Sequence, residues 1–337
     1  MATVRTCGPE PRTAAQWQRL WDAQQGAWSG GDGASSTRLP DGRLLWLFGD
    51  TFVGGVDSAG RRAPGTAVVR NSIVVTDGSC VDAVPTTSDA LPGRDGSWLW
   101  PTHAVVTSTR GSRSQLVVFA QRMIRTGAGA WGFARIGTAV ATVTVTRGGT
   151  PSVGVVRDLP TSETLWGAAI VVDGATTWIY GTRPSPQPLV FGRDLLLARA
   201  PTATAGDTRT WTYRTTTGWS RSAARAVVVR PARSGVSTVP SAVHVGTSYV
   251  IVTKPDEFLG DDVVAVSSAH PWGPWVERVL FTAPSTRVEP RYSPCVVALP
   301  SGRHAVVVVS RTSTSLDLIA REAWRTRPTF ADADLPA

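Results

Sequence analysis

The chain is short of lysine, cysteine and long apolar runs, and each shortage excludes something. Of its 34 basic residues only Lys254 is a lysine, so the formal net charge of +9 rests on scattered arginines. With no Lys/Arg-rich run and no stacked RNA-binding motif, nucleic acid is not an expected partner. The charge reads as a basic solvated surface or as attraction to acidic polymers. Three cysteines, Cys7, Cys80 and Cys295, leave room for a single disulfide and match no zinc spacing. Cys295 lies in an apolar strand pattern (YSPCVVAL) and reads as a buried thiol. Cys7 and Cys80 lie in polar stretches and can pair if the protein is exported. No apolar run reaches the roughly 18 residues a membrane helix needs, so no span is predicted. Met1–Pro11 lacks the apolar core of a signal peptide. The expectation is an extracellular protein whose leader has been removed, or a cytoplasmic one if Met1 is the native start.

What is present points to strands. The 337 residues include 33 Gly, 24 Pro and 14 Trp, while only 18% are charged, well below the usual quarter. Val, Thr, Ile and Trp fill the apolar runs, and turn-formers separate them. The fold class predicted is all-β.

Five segments share one plan: two short apolar strands around a tight turn, then a small or polar residue followed by a basic one. The first runs from Ser29 to Phe52 and turns at Leu39-Pro40-Asp41-Gly42-Arg43. The second spans Trp100 to Arg122, turning near Arg110-Gly111-Ser112, and the third Trp166 to Arg183, turning at Asp173-Gly174. The fourth spans Val239 to Lys254, turning at Gly246-Thr247. The fifth spans Tyr292 to Arg311 and turns at Leu299-Pro300-Ser301-Gly302-Arg303, a close copy of the first turn. Further strand patterns follow each hairpin. Repeats of this kind predict a five-bladed β-propeller over residues 28–337. Residues 1–27 read as an N-terminal arm or helix, with a helical pattern at Thr13–Gln25 that puts Trp17, Leu20 and Trp21 on one face.

The first hairpin carries the sharpest chemical signal. If Leu39 faces Arg43 across its turn, Asp32 falls opposite Asp50, and opposed Cβ atoms lie roughly 5 Å apart. Two carboxylates that close repel, so one must hold its proton to a higher pH than the other. The fifth hairpin carries Tyr292 and Ser310 at the equivalent places, so the fold of the repeat does not demand the acids.

By alignment, one channel mouth collects Asp32 and Asp50, Thr102 or His103 with Gln121 and Arg122, Glu163 or Trp166 with Arg183, Val239 with Lys254, and Glu289, Arg291 or Tyr292 with Arg311. Trp100 and Trp166 are candidate sugar-stacking platforms. Each has a plainer reading: the aspartates as turn formers or caps, the tryptophans as core, His103 as structural, the basic series as partners of acids. No metal cluster, serine nucleophile elbow or phosphate loop is present in the sequence, and no cofactor is expected.

Gly31-Asp32-Gly33-Ala34, the run Trp46-Leu47-Phe48-Gly49-Asp50-Thr51 and Asn71-Ser72-Ile73 resemble the signature of bacterial propellers grouped as domain of unknown function 4185. Some members of that group are classed as glycoside hydrolase family 183, endo-D-arabinanases acting on mycobacterial-type arabinan. The resemblance is close over Trp28–Val75 and holds only at the level of blades to about residue 325. It implies a five-bladed propeller, an exported polysaccharide hydrolase, and Asp32 with Asp50 as the acidic pair. More distantly the layout is similar to the family 43 furanosidase propellers. Their base is an Asp in the first blade, their pKa-tuning Asp is in the second, and their acid is a Glu in the third. Asp32 fits the first role and Glu163 the third. The second blade offers Thr102 and His103 instead of Asp, a departure unless Asp50 supplies the tuning charge.

The function expected is cofactor-free hydrolysis of an arabinofuranose-containing polysaccharide, which needs only paired carboxylates. Asp32 is the expected base or nucleophile, Asp50 its partner, and Glu163 or Glu289 the proton donor. Trp100, His103, Arg122, Trp166, Arg183, Lys254, Arg291, Tyr292 and Arg311 are the expected substrate contacts. The alternatives are a non-catalytic carbohydrate- or protein-binding propeller, and a lyase or sugar-acid enzyme that uses the basic series to hold a carboxylate.

Overall fold

The structure is a computed structural model and describes residues 7–81, 87–129, 131–297 and 302–336. Strands that read as continuous apolar runs are buried on both faces, and this sets the architecture. In Leu44–Phe48, Leu45 and Leu47 join one apolar cluster while Leu44, Trp46 and Phe48 join another. A strand has a side-chain period of two, so such a run must lie between two packing layers.

Five sheets repeat this arrangement in chain order. The first holds Ser35–Arg38, Leu44–Phe48, Ser72–Asp77 and Cys80–Val81; the second is a four-stranded meander from Trp98–Arg110 to Ser152–Asp158. The third starts at Leu165–Asp173, the fourth at Ser241–Val245 and the last at Arg291–Val296, which pairs with His304–Arg311 and then Thr329–Asp334. The leading strands of these sheets contact one another in a closed cycle, the last touching the first. Five apolar clusters fill the five gaps between neighbouring sheets.

Hydrogen bonds near the inner ends stitch each gap. Thr37 Oγ1 donates to Ala104 O at 3.1 Å, Thr102 Oγ1 to Gly167 O at 2.7 Å, and Thr182 Oγ1 to Thr238 O at 2.7 Å. Val296 N–H donates to Ser241 Oγ at 3.1 Å, and Ala34 N–H to Ser310 Oγ, also at 3.1 Å. Buried hydroxyls placed this way satisfy backbone groups that would otherwise be orphaned.

The described residues form six sheets, where the sequence pattern predicts five units. The additional one joins Trp28–Gly31, Thr51–Val53 and Ala67–Val69. Each of its strands runs directly into, or out of, a strand of the first sheet, with only a bend between them. Hairpin registers agree with the turns read from sequence in the first four units: Ser35 pairs with Leu47, Arg110 with Arg113, Asp173 with Thr176 and Val245 with Ser248. Residues 299–301 of the fifth turn lie outside the described residues.

The helix is Ala14–Asp22, capped by a reciprocal Thr13–Gln16 box. Trp17 and Trp21 pack edge-on to Trp46, each at 5.2 Å between centroids, in the gap between the first and last sheets. Cys7 and Cys80 form a disulfide that ties the arm to the first sheet, and Cys295 is a buried free thiol. No helix among the described residues is long and apolar enough to cross a membrane.

Candidate active site

The bends between the first sheet and its continuation carry the polar side chains. Asp32 follows Trp28–Gly31, Asp50 precedes Thr51–Val53, and Arg70 follows Ala67–Val69. Asp32 N–H donates to Asp50 O at 3.3 Å and Gly49 N–H to Asp32 O at 2.7 Å, so the two aspartates do stand opposite one another. Gly49 is required by this approach: a Cβ there would lie 2.7 Å from Asp32 Oδ1. Asn71 fixes the third bend, donating to Leu91 O and Leu99 O, both at 2.9 Å.

The two carboxyl groups have unequal partners. Tyr292 Oη donates to Asp32 Oδ2 at 2.6 Å, reaching from the last sheet to the first. Trp100 Nε1–H donates to Asp50 Oδ1 at 2.9 Å, and the Arg70 guanidinium lies 3.3 Å from Oδ2. Burial, and after it the neighbouring Asp50 charge, push Asp32 up to about 7. Burial also raises Asp50, against the Trp100 hydrogen bond and the Arg70 charge. Asp50 has a full cation and an indole N–H beside it, whereas Asp32 has a phenol and backbone N–H groups but no cation. Asp32 is therefore the member of the pair that holds a proton near neutrality, although the pair titrates as a unit.

Both aspartates line a cavity of about 440 Å³. Trp100, His103, Gln121, Phe133 and Arg135 reach it from the second sheet, Arg193 from the third, and Tyr292 from the last. His103 Nε2–H donates to Pro240 O at 2.9 Å, and burial pushes the ring down to about 4, so it is neutral. Across the mouth, Trp131 stacks on Phe258 with centroids 5.5 Å apart.

The third carboxylate in this cavity is Glu257, which the hairpin alignment did not select. It follows the fourth hairpin in a short turn, Glu257–Leu259, and takes φ +57°, a left-handed conformation uncommon for a non-glycine residue. Its Oε1 accepts from Arg193 Nε at 3.0 Å and from Thr238 Oγ1. Strain of this kind concentrates at functional sites. The sequence signal available for it was an acidic, aromatic loop, Asp256-Glu257-Phe258, directly after an inner hairpin.

The remaining expected site residues lie elsewhere, a correction to the single-mouth alignment. Glu163, Trp166 and Arg183 line a separate cavity of about 350 Å³, with Arg183 paired to Asp194 and Trp166 buried against Trp211 and Tyr213. Glu289 is clamped by Arg291 at 3.1 Å and Arg325 at 3.8 Å. Arg122 pairs with Asp158 and Asp95, and Arg311 donates to Arg327 O while stacking over Trp324. Lys254 is 0% exposed and donates to Ala283 O and Arg291 O. The reason is strand parity. Gln121 faces the cavity and Thr182 and Ser310 face neighbouring sheets, so the basic residue that follows each must point the other way. Among the described residues no cluster of His, Cys, Asp and Glu could hold a metal ion.

The family model described as domain of unknown function DUF5005 matches residues 15–332. The chain belongs to this family. It is a different family from the one its opening motif resembles. In the search of curated proteins no match is found. Among solved structures the chain is similar to "a putative hydrolase" from Bacteroides ovatus, with TM-score 0.73 and 20% identity over 94% of this chain and 88% of that one. It is also similar to a glycoside hydrolase family 43 arabinoxylan arabinofuranohydrolase from Bacillus subtilis, with TM-score 0.51 and 11% identity over 90% of this chain and 63% of that one. An exo-β-1,3-galactanase from Phanerochaete chrysosporium aligns with TM-score 0.50 and 12% identity over 91% and 63%. At these identities the likeness is one of fold.

Proposed function

We propose that this DUF5005 protein is a glycoside hydrolase that cleaves a furanose-containing polysaccharide of the arabinan or arabinogalactan type. The observation that carries the reading is the Asp32–Asp50 pair, half-buried, opposed and unequally partnered at an open cavity. One proton shared by two carboxyls is what acid/base cleavage of a glycosidic bond requires. Asp32 donates its proton to the departing glycosidic oxygen, and the Asp50 carboxylate, held by Trp100 and Arg70, acts on the sugar carbon or on the attacking water. This assignment moves the proton donor from Glu163 or Glu289 to Asp32 and the base or nucleophile from Asp32 to Asp50, because neither glutamate lines the cavity and Asp32 is raised to about 7. Glu257 and Arg193, on the far wall, orient the substrate.

We read the ring as five blades, with the sheet that starts at Trp28–Gly31 as an extension of the first. The motif over Trp28–Val75 and the fold shared with family 43 enzymes support a furanose polymer as substrate. The Cys7–Cys80 disulfide supports an extracellular location.

Release of reducing sugar from arabinan and arabinogalactan, by wild type, Asp32→Asn and Asp50→Asn, tests this. The wild type is expected to cleave and both variants to lose activity by a factor of roughly 10² or more. Full activity in either variant removes that residue from the mechanism. Tight binding of the polymer by the wild type with no release would make the protein a binding module instead.

A further inference from the structure

Beyond Asp50 and Trp100 lies a second cavity, of about 310 Å³, that shares both residues, Phe133 and Leu316 with the first. The wall between the two cavities therefore includes the aspartate that acts on the scissile bond. A glycosidic bond joins two sugar units, so a substrate cleaved there has a unit on each side of that wall. The second cavity is floored by Trp98, with the Arg70 guanidinium 4.9 Å and the Arg125 guanidinium 6.0 Å from its ring centroid. Phe133 meets Trp100 edge-on at 4.8 Å and holds the indole that supports Asp50.

The charges in this cavity do not balance. Arg70 is matched by Asp50, and Asp89 accepts the Arg70 backbone N–H. Arg125 is exposed and its guanidinium donates to Gly129 O at 3.2 Å; it has no carboxylate within ion-pair distance among the described residues. A guanidinium held over an indole presents its donors edgewise, the geometry that suits a carboxylate or phosphate. The net charge of +9 adds a long-range field of the matching sign.

We propose that the cavity formed by Arg70, Trp98 and Arg125 is the subsite for a sugar unit bearing an anionic group, a uronate carboxylate or a phosphate ester, next to the bond cleaved at Asp50. This rests on the hydrolase reading. It assigns Arg125 as a specificity residue that takes no part in the chemistry.

The test uses arabinogalactan fragments carrying glucuronate, the same fragments after carboxyl reduction, and fragments carrying a phosphate monoester. Cleavage and equilibrium binding are both measured, with wild type and Arg125→Ala. A charge-assisted contact predicts that wild type favours one of the acidic fragments over the reduced one by roughly 10- to 100-fold in kcat/KM. Which acidic fragment is favoured distinguishes carboxylate from phosphate. Arg125→Ala is expected to lose that preference, its kcat/KM falling further on the acidic fragment than on the reduced one. Equal kcat/KM on acidic and reduced fragments in the wild type, or an unchanged preference in Arg125→Ala, overturns the subsite. If wild type cleaves none of the fragments, the hydrolase reading falls, and the binding arm decides the subsite. An acidic preference lost in Arg125→Ala supports it, and equal binding by both proteins overturns it.

Discussion

Tyr292 and Asp32, 260 positions apart in the chain, meet through a 2.6 Å hydrogen bond where the last sheet closes on the first. Tyr292 pairs with Ser310 in its own hairpin, and Ser310 Oγ accepts the Ala34 N–H, so the closure and the candidate acid are held by adjacent bonds. The stability of the ring and the protonation of the site are thereby linked through one short stretch.

Tyr292→Phe removes the phenol and keeps the ring in place. A hydrogen bond to the charged form of a carboxyl lowers its pKa, so its loss raises Asp32 further above about 7. The alkaline limb of the pH–rate profile is expected to move to higher pH, with kcat reduced roughly three- to tenfold for one neutral hydrogen bond. An unmoved alkaline limb would mean that Asp32 is not the group titrating there.

Asp32→Asn is expected to stabilise the protein in a pH-dependent way. The folded-state pKa of about 7 lies above the ordinary carboxyl value, so the unfolded chain releases the proton first as pH rises. Wild-type stability therefore declines between about pH 4 and pH 7 on account of this group, and the loss is complete above that window. The asparagine keeps the acceptor for Tyr292 and carries no charge. Its Tm should exceed that of wild type at pH 8 and match it near pH 4; a difference independent of pH would contradict the assignment.

Much of this was legible in the sequence because it follows from local rules. The LPDGR turn sets the register of the first hairpin, and that register alone brings Asp32 opposite Asp50. The apolar runs marked the inner strands for the same reason, since alternation is absent where both faces are buried. What failed was the projection of one alignment onto all five hairpins. The leading strands of the second, third and last sheets each break register near the site, at Pro101/Ala104, Trp166/Ala169 and Tyr292/Cys295. A bulge re-aims the side chains that follow it, and a basic residue one step past an inward hydroxyl faces out. Glu257 was missed for another reason. Its place in the cavity depends on a left-handed turn between strands, which no periodic pattern encodes.

The disulfide gives a stability prediction independent of the site. Cys7 and Cys80 close a loop of 73 residues, which by chain entropy stabilises the fold by about 4 kcal/mol. Reduction, or Cys7→Ser with Cys80→Ser, should lower Tm markedly while leaving kcat at 25 °C unchanged, because neither cysteine borders the cavity that holds Asp32 and Asp50. Unchanged thermal unfolding after verified reduction would show that the arm adds little to the fold.

The three glutamates separate the site from its surroundings in one experiment. Glu257 faces the cavity and holds Arg193 and Thr238, so Glu257→Gln should lower kcat/KM by at least roughly tenfold. Glu289 is 15% exposed and pairs with Arg291 and Arg325, away from the cavity. Glu289→Gln should therefore cost about 1–3 kcal/mol of stability with kcat unchanged. Glu163 is exposed; Arg135 donates to its backbone carbonyl, which substitution preserves, and its carboxylate reaches Arg135 only through its charge. Glu163→Gln should leave both quantities as in wild type. Steady-state kinetics and thermal unfolding on the three variants decide the matter. A loss of kcat in Glu163→Gln or Glu289→Gln as large as that in Asp32→Asn would move the proton donor away from Asp32 and return it to the glutamate concerned.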